Sequence, residues 1–148
     1  MRCLLPNLSC EGYKGERMKK PEGELKEEVE KWIEKAEGDL SDAEFTFKNK
    51  RFSLSAFLSH QAAEKALKAL YILKFKRLWK IHDLEKLCLT INANRSIIKI
   101  SKKLNPHYIE TRYPTETEYT EEIAKEALEN SRKVVEWAKR KLKRLKEK

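Results

Sequence analysis

The segment "HQAAEKALKAL", His60 to Leu70, holds the residues best placed to do chemistry. At about 100° per residue on a helix, His60, Gln61, Glu64, Lys65 and Lys68 fall in one arc of about 140°. The opposite side is Ser, Ala and Leu, including Ala56, Ser59, Ala62, Ala63, Ala66 and Leu67. Small residues let neighbouring helices approach closely, so this helix is expected to be the most buried, with its polar arc on a groove or a partner surface. An imidazole, an amide, a carboxylate and two ammonium groups on one face can hold and orient an anion. The same residues also read as a solvated face in which Glu64 and Lys68 make an ordinary i, i+4 pair worth about 0.2–0.5 kcal/mol.

Two further segments carry reactive or binding groups. In "TRYP", Arg112 offers a planar fork for phosphate or carboxylate, Tyr113 a ring on which a base could stack, and Pro114 stiffens their loop. The alternative is a structural corner, with Arg112 bridging to an acid such as Glu64 and Tyr113 filling the bundle end. In "RLWKIHD", His82 and Asp83 read as a helix start with Asp83 as its cap. Trp79 among Lys76, Arg77 and Lys80 has the mix that nucleic-acid sites use, or it caps the core. Cys88 reads as a small core residue.

The elements that must position these groups follow from composition and period. Charged residues make up 39% of the 148 and hydrophobic ones 40%, with only four Gly and four Pro, so long helices must account for most of the chain. From Leu25 to Phe47 apolar residues recur every three and four positions, giving one long amphipathic helix. Ser53 is expected to cap a second helix running to about Phe75. Shorter helices are expected at Asp83 to about Ile91 and about Ser96 to Leu104, with Pro106 as the stop. "HYIETRYPTETEYT" is expected to cross the surface without helix. A last long helix begins near Thr120, with Ile123, Ala127, Val134, Ala138, Leu142 and Leu145 as its buried stripe. The expected fold is all-α: an antiparallel up-and-down bundle of two long hairpins with a short helical insert, over residues 18 to 148. The first 17 residues read as a disordered leader or a misassigned start.

The charge of +9 suits a polyanion or a negatively charged protein, and it is unevenly spread. Between Lys74 and Lys103 nine Lys/Arg face two acids. From Lys139 to Lys148 seven face one, where cations also suit a helix C-terminus. Lys and Glu crowd out Gln, Asn and Met, a bias that suits a heat-adapted organism. Cys3, Cys10 and Cys88 match neither zinc spacing nor an even disulfide set, which points to a reducing compartment. No apolar run approaches the roughly 18 residues of a membrane span and no secretory signal is legible, so a cytoplasmic protein without membrane contact is expected. No metal or cofactor spacing is present.

Four blocks in order, "WIEKAEGDLSDAEF", "SHQAAEKALKALYI", "HDLEKL" and "TRYP", resemble the HEPN family (higher eukaryotes and prokaryotes nucleotide-binding domain) over about Leu25 to Leu142. The resemblance implies an up-and-down helical bundle, a homodimer, often encoded beside a minimal nucleotidyltransferase in a toxin–antitoxin or regulatory pair. Some members cut RNA without metal, using an Arg followed four to six residues later by a His near the start of the last helix. Here Arg112 matches, but Thr117, Glu118 and Tyr119 stand where the His belongs. Arg77 and His82 have the spacing but lie between helices, and His107 precedes Arg112. The expected role is therefore binding of a nucleotide, RNA or partner without catalysis, through Gln61, Glu64, Lys68, His82, Arg112 and Tyr113. In that reading Lys68 and Arg112 hold anionic oxygen while Gln61 and Glu64 fix orientation. The alternatives are a metal-independent ribonuclease toxin and a pure docking module.

Overall fold

The computed structural model describes residues 21–146; the expectations for residues 1 to 17, and for Cys3 and Cys10, lie outside them. The described residues form six helices: α1 (Glu22–Lys48), α2 (Phe52–Phe75), α3 (Leu84–Thr90), α4 (Arg95–Leu104), α5 (His107–Glu110) and α6 (Glu121–Lys146). The all-α, up-and-down bundle expected from the periodicity is the one observed.

The direction of each limb can be read from its bonds. Ser55 Oγ donates to the Ala43 carbonyl, which sets α2 antiparallel to α1. After Phe75 the chain doubles back along α2, so that the His82 carbonyl lies 3.1 Å from His60 Nε2. α3 then runs forward until the Thr90 carbonyl accepts from Lys74 Nζ at 3.4 Å. α4 returns, and the Asn105 side chain joins it to the start of α3 through Leu84 N and Asp83 Oδ1. α6 lies against α2, with Ser131 Oγ donating to the Ser59 carbonyl at 2.6 Å. The helical insert thus supplies the ascending limb between the two descending helices α2 and α6.

α2 is the central element because it is built from small residues. Ala56, Ala62, Ala63, Ala66 and Ala69 are all 0% exposed, and Leu67 and Ile72 fill the space between helices. Truncating a leucine such as Leu67 to alanine there costs about 2–5 kcal/mol. α1 and α6 flank it and are stitched to each other by Glu30–Lys146, Glu37–Lys139 and Glu44–Arg132, a ladder with a step of seven residues on both helices. A seven-residue step returns a side chain to nearly the same face, so one seam collects all three pairs.

The helix ends separate good signals from misleading ones. Asp83 accepts from Lys86 N and Thr120 from Ile123 N, as read from the sequence. Ser53 does not cap α2: Lys50 adopts a left-handed conformation (φ 62°) and turns the chain sharply. The helix therefore starts at Phe52, with Arg51 in the N-cap position and no side-chain cap. The Phe52 ring then packs on Phe47, 5.8 Å between centroids. The segment after Pro106 is not wholly irregular either, since α5 makes one helical turn there. A proline is accommodated at a helix start because the amide it lacks would have no partner there. Leu145 is 42% exposed rather than buried, for α6 reaches there the level at which α2 ends. Cys88 is a core residue as expected; its Sγ lies 3.2 Å from Ser101 Oγ and burial pushes its thiol up to about 11.

Candidate functional site

The polar arc of α2 divides in two. Lys65 leans toward α1, where its Nζ meets Asp39 Oδ2 at 2.5 Å, and Gln61 sits between Lys65 and His60, bonded to each at 3.4 Å. His60, Glu64 and Lys68 turn inward and are 0%, 4% and 5% exposed, so the solvated-face reading of Glu64 and Lys68 does not hold. Their partners come from the segment that doubles back along the helix. Glu64 Oε2 accepts from Lys68 Nζ at 3.0 Å, and Glu64 Oε1 accepts from His82 Nδ1 at 3.0 Å. One buried carboxylate thus serves two cation-capable groups, which satisfies it away from water.

His60 lies beneath this pair. The His82 carbonyl can only accept, so His60 Nε2 carries the proton, and its Nδ1 is left to accept from Gln61 Nε2 at 3.4 Å. Burial drives the imidazole down to about 4, and the nearby Glu64 charge offsets only part of that. The 3.9 Å approach of His60 Nδ1 to Glu64 is therefore no ion pair at neutral pH.

Tyr108 of α5 connects the arc to the Arg112 corner. Its ring stacks on His82 with centroids 4.1 Å apart and planes 15° apart, and tilts against His60 at 5.3 Å. The Arg112 guanidinium lies 4.1 Å from the same ring centroid. One face of a phenol ring holds one planar group at that distance, so His82 and Arg112 take opposite faces. Arg112 Nε also donates to the Tyr108 carbonyl at 2.6 Å, a bond that fixes the guanidinium plane. Arg112 is exposed, and it forms no ion pair among the described residues. It does not bridge to Glu64.

Four of the six residues expected at the site, Glu64, Lys68, His82 and Arg112, therefore belong to one chain of contacts. Gln61 touches it only through His60. Tyr113, 55% exposed, touches it only through Arg112, with its ring 5.3 Å from the guanidinium. Tyr113 borders a groove of about 460 Å³ whose wall also includes Lys50, Arg51, Phe52 and Tyr119. His107 is engaged elsewhere: its Nδ1 lies 2.8 Å from Tyr119 Oη, and burial lowers its basicity. Burial raises Tyr119 to about 12, so the phenol keeps its proton. Arg77 makes no contact with His82 that resembles a catalytic pair. Tyr108 is the member that sequence reasoning missed; His60 was read as part of the polar arc but not as a contact of the Arg112 corner. Tyr108 was within reach of that reasoning, since it precedes Arg112 by four residues, one helical turn.

Among the described residues no group of His, Cys, Asp or Glu could hold a metal ion, and no helix is long and apolar enough to cross a membrane.

Comparison with known proteins bears on this geometry. A family model described as HEPN domain matches residues 29–142. Two crystal structures share the architecture. ST0689, described as an archaeal HEPN homologue, is 30% identical with a TM-score of 0.67, covering 76% of this chain and 96% of its own. TT1696 from Thermus thermophilus is 27% identical with a TM-score of 0.71, covering 76% of this chain and 97% of its own. No curated protein sequence matches.

Proposed function

Because the chain belongs to the HEPN domain family, we propose that it binds a phosphate-bearing nucleotide at the Arg112 end of the stack and does no chemistry on it. One observation carries this reading: Arg112 is exposed, locked in plane by Tyr108, and pairs with no carboxylate among the described residues. A guanidinium held in that way has its remaining donors ready for two phosphate oxygens, with little entropy left to lose on binding. Tyr113 supplies a ring for the base. Glu64, Lys68 and Gln61 act from behind, holding His82 and His60 in place.

The family suggests the setting. The bundle works as a homodimer, in the cytoplasm, with a minimal nucleotidyltransferase as its partner in a toxin–antitoxin or regulatory pair. The test is equilibrium binding of labelled nucleotides to the full chain. Arg112→Ala is expected to weaken binding at least about tenfold, roughly the worth of one charge-assisted contact, with an unchanged circular-dichroism spectrum. Unchanged affinity would remove Arg112 from the site, and co-purification with a nucleotidyltransferase in the absence of any nucleotide affinity would leave docking as the role.

A second reading, metal-independent RNA cleavage, draws on a different observation. Glu64 holds His82 Nδ1–H, so that Nε2 is the atom on the exposed side of the ring, the arrangement of an oriented proton-transfer group. Against it, the Tyr108 ring lies between His82 and the guanidinium that would hold the phosphate. It requires RNA cutting in the presence of a chelator that disappears in His82→Ala.

A further inference from the structure

Helix α4 differs from α1, α2 and α6 in carrying four cations and no acid. Arg95, Lys99, Lys102 and Lys103 are all exposed, and their spacing places them within one arc of about 100°. The buried residues Ile97, Ser101 and Leu104 lie on the other side of the helix, so the stripe faces outward. No acid occurs between Lys86 and Ile109. None of the four makes an ion pair among the described residues.

Local helix chemistry does not account for the stripe. Lys102 and Lys103 suit the negative end of the helix dipole, but Arg95 in the first turn opposes the positive end. Arg95–Lys99 and Lys99–Lys103 are like-charge i, i+4 pairs, which weaken a helix. A sequence that sets such repulsions against its own fold marks a place where something other than folding is served. An anion laid along the stripe would relieve all of them together.

We propose that α4 is a contact surface for the phosphate backbone of a nucleic acid, read without regard to base sequence. The row from Arg95 to Lys103 is about 12 Å long, long enough for successive phosphates rather than one anion. An acidic protein fits less well: none of the exposed large apolar side chains lies on α4, and lysine is depleted from protein–protein interfaces. The C-terminal end of α4 is tied through Asn105 to Asp83, beside His82, but the stripe stands on its own charges and not on the nucleotide reading of Arg112.

The test titrates the full chain, in chelator, with a labelled single-stranded RNA and with its duplex, over a range of salt concentrations. Four phosphate contacts predict a slope of log K against log salt of roughly −3 for the single strand and −4 for the duplex, and the tighter of the two names the natural form. Lys99→Gln with Lys102→Gln is expected to lower affinity at least about tenfold at low salt and to make the slope shallower by roughly 1 to 2. Lys31→Gln with Lys35→Gln on α1 removes the same charge and is expected to leave affinity within about twofold, since those groups lie outside the contact. Equal losses in the two double variants would assign binding to net charge alone and overturn the proposal. So would failure of the wild-type chain to bind either RNA, which would leave an acidic protein as the occupant. Loss of mononucleotide binding in Arg112→Ala bears on the other site and leaves this outcome unchanged.

Discussion

Two sets of ion pairs in this bundle join glutamates to cation-capable groups at similar distances and have opposite weights. The seam between α1 and α6 pairs Glu30, Glu37 and Glu44 with Lys146, Lys139 and Arg132 at 2.6–2.8 Å, in water. The cluster inside the α2 arc pairs Glu64 with Lys68 and His82 at 3.0 Å, with Glu64 and Lys68 almost wholly out of water. Distances do not separate the two; solvent does. Water screens the seam and offers each charge a substitute partner, whereas a charge stranded in the cluster would have none.

Removing one member of each set is the direct way to break the comparison. Glu64→Ala is expected to cost about 3–5 kcal/mol, because Lys68 is left as a buried charge without its counterion. Urea unfolding measures this, and a loss below about 1 kcal/mol would mean that the cluster opens to water. His60 comes next. Its folded-state value of about 4 lies below the free value of 6.5, so its contribution is complete above pH 6.5 and drains away as pH falls toward 4. At most about 3 kcal/mol is involved. Stability measured against pH should therefore fall less steeply over that window in His60→Gln than in the parent chain.

The exposed seam should respond far less. Lys139→Ala is expected to cost about 0.5 kcal/mol or less, and nothing measurable in about 1 M salt. The α4 stripe sharpens the contrast from the other side. Lys99→Glu converts two like-charge i, i+4 pairs into attractive ones and should raise stability by about 0.5–1 kcal/mol while weakening RNA binding. A variant that gains stability and loses binding together would separate the stripe's function from the fold; a loss of stability would show that Lys99 supports the helix after all.

Much of the architecture was legible because it rests on local rules. The period of three and four in α1 and α6, the Asp83 and Thr120 caps and the alanine face of α2 each follow from side chains within one or two turns of each other. The same locality misled at Ser53, where a good capping residue lies three positions beyond the left-handed Lys50 that sets the turn. It misled again after Pro106, where a single turn of helix was too short to leave a periodic pattern.

The candidate site was only half legible. Arg112, Glu64, Lys68 and His82 stand out by type, and Tyr108 is one helical turn from Arg112, but nothing in the chain order says that the Tyr108 ring also meets His82 or that Lys65 turns away toward Asp39. A helical wheel groups five polar residues on one arc; which of them meets protein and which meets water depends on the helices packed at either edge.

What the order of amino acids determined by itself was the class of fold, the helix that would lie at its centre, and the stripe of cations on α4, all consequences of neighbours a few bonds apart. The packed bundle alone decided that Glu64 and Lys68 are buried rather than solvated, and that Tyr108 lies between His82 and Arg112. Those outcomes depend on residues tens of positions apart being excluded from water together, a condition no single helix can impose.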